Sequence, residues 1–169
     1  MKHLFFYGVV MIGFIICNDV SAQSKKDLYK ATYSSNFKIG NAAYASMVQD
    51  IWKDWDDNLL DRHDYFADTL TMYFADGNMM KGKAANLEAA KKYRGGMSKV
   101  TSTLHAWIPL YSNDKKEDAV CVWGEEENTL ADGKVERKSI HEVWWFNKDG
   151  KISMMRQWTA VPPAPMPAQ

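Results

Sequence analysis

The sequence predicts an α+β domain in which N-terminal helices cover one face of a curved antiparallel sheet. Three observations indicate this class. Helical periodicity comes first along the chain, long β-branched and aromatic segments follow, and short hairpin turns link those segments. No strand alternates with a helix in the later part of the chain, so a parallel sheet with crossover helices is not expected.

The first helix is predicted from Ala42 to Asp61. Its apolar residues recur at three- and four-residue steps, with polar residues mostly on the opposite side. Those apolar residues are Tyr44, Val48, Ile51, Trp52, Trp55 and Leu59. A second helix is predicted from Lys83 to Tyr93, because this segment is rich in Ala, Leu, Glu and Lys and is followed by Gly95 and Gly96.

Strands account for most of the remaining chain. His63 to Phe66 is expected to form a short helical turn before a strand from Thr69 to Phe74. After the second helix, four long strands form a predicted meander: Val100 to Tyr111, Ala119 to Thr129, Lys134 to Phe146 and Lys151 to Thr159. Turn-forming residues separate them at Asn113 and Asp114, at Asp132 and Gly133, and at Asn147 to Gly150.

The two ends of the chain differ from this domain. Residues 1–22 have a basic start, an apolar run from Leu4 to Cys17 and a small-residue ending, which predicts a signal peptide cleaved after Ala22. A membrane anchor and a lipid on Cys17 are the alternatives. Residues 23–41 are expected to form a polar arm, residues 42–160 the domain, and residues 161–169 a Pro-rich tail. We therefore expect an exported protein, periplasmic or extracellular, without stable membrane insertion after cleavage.

The charge balance and the cysteine count give little sign of a charged partner or a disulfide. Lys and Arg number 21, as do Asp and Glu, so the formal net charge is zero. Nothing in that balance favours nucleic acid. Cys121 is the one cysteine that remains after signal cleavage, so no intramolecular disulfide is expected. It lies in the apolar run AVCVW, which indicates a buried thiol more than a reactive one.

Several short sequence motifs, taken in their order along the chain, resemble those of the nuclear transport factor 2-like superfamily and, within it, the SnoaL-like group. They are Phe66-Ala67-Asp68 before a strand, Gly82 ahead of the second helix, and Asp149 to Ile152 before the last strand. The resemblance covers about residues 42–159. It implies a cone-shaped half-barrel, often dimeric through the sheet, with a ligand cavity between sheet and helices.

Side chains alternate along a strand, so each strand contributes one set of residues to such a cavity. If the sets face the helices, a small organic ligand meets imidazoles, indoles and a guanidinium. The expected ligand-binding residues are Trp55, His105, Trp107, Trp123, His141, Trp145, Arg156 and Trp158. Trp144 and Phe146 then lie on the other face and indicate a homodimer through the sheet. The two sets can be exchanged as a block without violating the alternation.

Four residues are candidates for acid–base catalysis: His105, His141, Asp54 and Glu125. An imidazole titrates near neutral pH, and burial raises the pKa of a carboxylate toward it. The alternatives are that the histidines are hydrogen-bonded core residues, that Asp54 is solvated, and that Glu125 to Glu127 form a charged strand end. His141 and Glu142 are adjacent, so in a regular strand they point to opposite faces and cannot form a pair.

No cofactor and no metal site is expected, because the four histidines are far apart in the sequence and no phosphate-binding or nucleophile motif is present. The sequence therefore predicts an exported small-molecule-binding protein of unknown ligand. The alternative is a cofactor-independent isomerase, cyclase or dehydratase.

Overall fold

Two helices and seven strands make up the structure, a computed structural model that describes residues 28–162 of the 169-residue chain. The expected signal peptide and most of the Pro-rich tail lie outside the described residues. The elements are β1 (Phe37–Ile39), α1 (Ala42–Asp57), β2 (Phe66–Tyr73), β3 (Met79–Lys81), α2 (Lys83–Gly95), β4 (Met97–Ser112), β5 (Glu117–Leu130), β6 (Val135–Phe146) and β7 (Ile152–Ala160). The strands form one open sheet in the order β1-β4-β5-β6-β7-β2-β3.

The predicted α+β class and the curved sheet beside N-terminal helices are confirmed. Strands β4 to β7 pair in sequence as an antiparallel meander. The β2–β7 pair is parallel, however, so the sheet is mixed and not purely antiparallel. These two strands are far apart in the sequence, with β3, α2 and β4 to β6 between them, and such a long connection permits a parallel pair.

Helix α1 begins at the predicted residue and ends four residues early. The Asn41 side chain caps its start by accepting a hydrogen bond of 3.0 Å from the Ala43 N–H. Asn58 ends it in the left-handed conformation with a φ of 57°, and its N–H bonds to the Asp54 and Trp55 carbonyls.

None of the helices within residues 28–162 combines the length and apolar character needed to span a bilayer.

The β6–β7 turn has the predicted chemistry. The Asn147 side chain accepts from the N–H groups of Asp149 and Lys151, and Gly150 has a φ of 72°. A β-bulge at the start of β7 shifts the register between Trp145 and Phe146.

Two short strands were not predicted. Strand β1 lies inside the expected polar arm, where Phe37 to Ile39 pair with Leu110 to Ser112 of β4. Strand β3 pairs with β2 and completes the other edge of the sheet. The segment before β1 is held by Asp114, which accepts hydrogen bonds from Ser34, Ser35 and Asn36. Polar side-chain contacts hold this part of the chain in place. Because it has no apolar periodicity, a strand here could not be predicted from the sequence.

The hydrophobic core lies between α1 and one face of the sheet, which we call the inner face. Its buried residues include Val48 and Trp52 of α1, Val120 and Val122 of β5, and Trp144 of β6. The opposite, outer face is more exposed. The orientation expected for β6 and β7 is therefore reversed, because Trp144 and Phe146 pack under α1 while His141 and Trp158 do not.

Candidate active site

A buried carboxylate lies at the centre of the inner face. Glu142 on β6 is 6 % exposed. Its Oε2 accepts hydrogen bonds from Trp52 Nε1 at 2.9 Å and from Trp144 Nε1 at 3.0 Å. Its Oε1 accepts one from Gln157 Nε2 at 2.9 Å. Three N–H donors therefore hold one carboxylate between α1, β6 and β7.

The register of the sheet explains this arrangement. Glu142 is opposite Val122 of β5 and Gln157 of β7, so all three side chains share the inner face. Trp144 follows two residues later on the same face, which places its indole beside the carboxylate. Trp52 is buried on the side of α1 that meets the sheet. The site is thus made by the same contacts that form the core.

Burial raises the pKa of Glu142 above the ordinary value of 4.5. The hydrogen bonds from Gln157, Trp52 and Trp144 favour the ionised form and oppose this shift, whereas the charge of Glu126 adds to it. Desolvation is the larger effect. Glu142 therefore binds a proton more readily than a solvated glutamate.

A second carboxylate shares the inner face. Glu126 of β5 is buried, and it accepts a hydrogen bond of 2.5 Å from Nδ2 of the fully buried Asn128. The Asn128 Oδ1 has no hydrogen-bond partner among the described residues. From the sequence, the alternative interpretation places Glu126 in a charged strand end. Because it alternates in phase with Val122 and Gly124, it points inward instead.

Asp54, a predicted catalytic candidate, is buried and not solvated. Its Oδ1 lies 3.1 Å from Arg62 Nη1, and its Oδ2 lies 2.7 Å from His63 Nδ1. The His63 ring in turn stacks on Tyr65, with 4.8 Å between ring centroids. These contacts fix the loop between α1 and β2. They do not bring Asp54 into hydrogen-bonding contact with any of the other three catalytic candidates.

Two other candidates meet on the outer face. His105 Nε2 lies 3.7 Å from Glu125 Oε1, and both side chains are about half exposed, at 50 % and 42 %. His141 lies between Trp123 and Trp158, at ring-centroid distances of 5.5 Å and 5.4 Å. A cross-strand row of aromatic rings therefore runs over β5, β6 and β7 on the side away from α1.

The remaining predicted ligand-binding residues do not converge on one cavity. Arg156 lies on the outer face beside Trp158 and Tyr73. Trp145, also on that face, meets Tyr33 edge-on at 6.4 Å. Trp55 is on α1 and stacks on Tyr93 of α2.

Trp107 was expected to share a face with His105. A bulge between Leu104 and Ala106 interrupts the alternation, and Trp107 is instead opposite Val122 of the inner face. The Trp107 side chain is nevertheless 46 % exposed. His105 is the extra residue of this bulge and has no directly opposite partner in β5, so His105 and Trp107 do not share a face.

Sequence reasoning missed Glu142, Glu126 and Gln157. The alternation along β6 places Glu142 on the face opposite His141. The signal for it was nevertheless present, since Glu142 occupies a position in phase with Ile140, Trp144 and Phe146. An acidic residue in the apolar phase of a strand indicates a buried carboxylate. Within residues 28–162, no three side chains of the metal-ligating types converge.

Comparisons with known proteins give structural matches only. No protein-family model and no curated protein matches the sequence. An NTF2-like protein of unknown function from Exiguobacterium sp. 255-15 matches with a TM-score of 0.55 and 17% identity, over 67% of this chain and 97% of its own.

Two further solved structures share the architecture. One is SalBIII, an epoxide hydrolase/cyclase-like enzyme of pyran ring formation in the polyether salinomycin, with a TM-score of 0.58 and 16% identity over 70% of this chain and 92% of its own. The other is a putative polyketide cyclase from Xanthomonas campestris pv. campestris, with a TM-score of 0.55 and 13% identity over 69% and 90%. At such identities the likeness concerns the fold. This chain therefore has the fold of the nuclear transport factor 2-like superfamily.

Proposed function

We propose that the protein binds a small organic molecule on the inner face of the sheet and transfers a proton on it without a cofactor, with Glu142 as the general base. One observation carries this proposal. Glu142 is a desolvated carboxylate held by three N–H donors, two of which bond to the same oxygen. Such fixed geometry together with a raised pKa is what a base needs near neutral pH.

The hydrogen-bond partners of Glu142 suit both of its protonation states. The two indoles are donors only, and both bond to Oε2, so this oxygen stays an acceptor throughout. Gln157 can donate its amide N–H to the ionised Oε1, or rotate its amide and accept a proton from the neutral acid. Gln157 is half-buried, so the network approaches solvent on this side. Oε1 is therefore the oxygen that we assign to proton transfer.

The proposed step uses chemistry that needs no further reactant. The proton of a C–H bond next to a carbonyl moves to Oε1 of Glu142, and the bonding electrons move into the carbonyl to give an enolate. Return of the proton to another carbon is an isomerisation. Loss of a β-hydroxyl is a dehydration, and attack of the enolate on an electrophilic carbon in the same molecule is a cyclisation. The cyclase and cyclase-like proteins with this fold support the choice of reaction class.

A generic substrate tests the base directly. 5-Nitrobenzisoxazole opens its ring when a carboxylate removes one C–H proton, and product formation can be followed by absorbance. We expect Glu142→Gln to lower the rate by about 100-fold. The change is isosteric, and a rotated Gln157 amide keeps every hydrogen bond. The wild-type rate should rise with pH through a value above 4.5, because the ionised form is the base.

Glu136→Gln is the matched control. It lies on the same strand, but its carboxylate is partly exposed and pairs with Lys134. The Glu136→Gln variant should open the 5-nitrobenzisoxazole ring at the wild-type rate. Equal rates for Glu142→Gln and the wild type, with both proteins folded, would contradict the base assignment. Ligands found by thermal shift with both proteins would then favour a non-catalytic binding protein.

Two properties proposed from the sequence accompany this function. Export is supported by the apolar run from Leu4 to Cys17, and a mature chain that begins at Gln23 by mass spectrometry would agree with it.

A homodimer through the sheet is supported by the outer face, where Trp123 and Trp158 are 41% and 45% exposed. Glu125 of β5 and Arg156 of β7 lie on opposite sides of β6. A two-fold axis over β6 would therefore place Glu125 of one copy opposite Arg156 of the other.

A further inference from the structure

A cleft opens beside the C-terminal end of α2, on residues that play no part in the Glu142 network. We propose that this cleft binds a small organic anion with an apolar body. The cleft has a volume of about 440 Å³, within the range of ligand pockets. Its lining residues are Ala89, Lys92, Tyr93, Gly96, Met97 and Leu130. None of them bonds to Glu142, so this site can be tested independently of the proposed proton transfer.

The walls of the cleft are held in place by a buried arginine. Arg94 is 4 % exposed and donates three hydrogen bonds, to the carbonyls of Trp55 at 2.8 Å, Asp56 at 2.9 Å and Met97 at 3.0 Å. It thereby ties α2 to the last turn of α1 and to the first residue of β4. The Trp55 indole also stacks on Tyr93. These contacts preorganise the site, which lowers the entropy cost of binding.

Three cationic side chains lie around the cleft, and the carboxylates of Glu126 and Glu136 lie near enough to Lys138 to interact with its charge. All three acceptors of Arg94 are main-chain carbonyls, and no carboxylate oxygen of a described residue lies within ion-pairing distance of Lys92, Arg94 or Lys138. Lys138 Nζ lies 3.2 Å from the Tyr93 hydroxyl, which places an ammonium group beside the lining. An anion at this position would gain charge-assisted hydrogen bonds.

The lining selects an organic anion over an inorganic one. The methyl, thioether and leucyl groups of Ala89, Met97 and Leu130 offer no hydrogen-bond donor, and their burial against a ligand is favourable only for apolar surface. Tyr93 is 55 % exposed and adds an aromatic ring. We therefore assign the head group to Lys138 and Lys92 and the apolar body to the other lining residues.

Calorimetry on the full mature chain can measure how much of the affinity depends on the charge of the ligand and how much on its apolar ring system. The probes are 2-naphthoate and its uncharged analogue 2-naphthamide, which have the same ring system. We expect naphthoate to bind with one site per chain, and Lys138→Met to weaken it by about tenfold while changing naphthamide affinity less than about twofold. Lys148→Met is the control, because Lys148 is exposed in the β6–β7 turn, away from the lining. Glu142→Gln should bind both probes as the wild type does.

A blocked cleft locates the site. Ala89→Trp fills the space from α2 and should abolish binding of both probes, with the fold checked by circular dichroism and by the Met97 methyl signal in NMR. Unchanged naphthoate binding by a folded Ala89→Trp protein would place the site elsewhere and overturn the proposal. An equal loss of naphthoate and naphthamide in Lys138→Met would refute charge recognition. Absence of naphthoate binding by the wild type at millimolar concentration would refute the site as a whole.

Discussion

The two faces of the β6–β7 hairpin carry similar residues in different surroundings. On the inner face, Trp144 is 4 % exposed and its indole N–H bonds to the buried Glu142. On the outer face, Trp158 is 45 % exposed and its ring lies beside His141. Each face combines aromatic rings with titratable groups. The inner face forms the core and a candidate proton-transfer site, whereas the outer face forms a surface.

This difference shows that burial, more than residue type, decides what a polar group on a strand can do. Glu142 has a raised pKa because α1 covers it. Glu125, on the other face of the same sheet, pairs with His105 across 3.7 Å in a half-exposed setting, where solvent weakens the interaction.

The largest effect is expected from Trp144→Ala. It opens a cavity in the core and removes one donor from Glu142, so the free energy of unfolding should fall by about 3–5 kcal/mol. Trp158→Ala is the matched control and, for the monomeric chain, should cost less than about 1 kcal/mol. Urea denaturation at one protein concentration measures both. Similar losses for the two variants would mean that the faces do not differ as described.

A smaller effect is expected where the β4 bulge meets β5. A Cβ on Gly124 would lie 2.3 Å from the Thr103 carbonyl oxygen, so Gly124→Ala forces the backbone to shift and should cost about 1–3 kcal/mol. Gly95→Ala is the control, since no atom lies within 4 Å of its added Cβ. That change should leave stability equal or raise it by up to about 1 kcal/mol. Thermal melting of the two variants decides whether the close approach is real.

The pH dependence of stability tests the burial of Glu142. Its folded pKa is raised, so its contribution is fully present below about 4.5 and is lost as pH rises through the folded pKa, since the unfolded state releases the proton first. The slope for one proton is at most about 1.4 kcal/mol per pH unit. Glu142→Gln should lack this component. Parallel stability curves for the two proteins between pH 4 and 8 would show that Glu142 titrates normally.

The smallest effect on stability, and a large one on assembly, is expected on the outer face. Arg156→Glu should weaken the proposed homodimer at least about tenfold, because it opposes Glu125 of the second copy with a like charge. Glu125→Arg combined with Arg156→Glu should restore the dimer. Light scattering across a concentration series measures the equilibrium. A wild type that stays monomeric at micromolar concentration removes the proposal for this face.

Much of the fold follows from local patterns. The start of α1 at Ala42, the four long strands and the Asn147 to Gly150 turn depend on periodicity and turn chemistry within about fifteen residues. Strands β1 and β3 are only three residues long and carry no such signal. They form because β4 and β2 offer unpaired edges, which is a tertiary condition.

The sequence by itself determined which residues share a face along β6, because successive side chains must alternate. The register of the tertiary structure then placed Trp158 of β7 opposite His141, on the same face. Only the tertiary structure decided which face is the core, since that depends on where α1 lies, and which distant donors reach Glu142. Trp52 is 90 positions from Glu142 in the chain, and no local pattern can pair them.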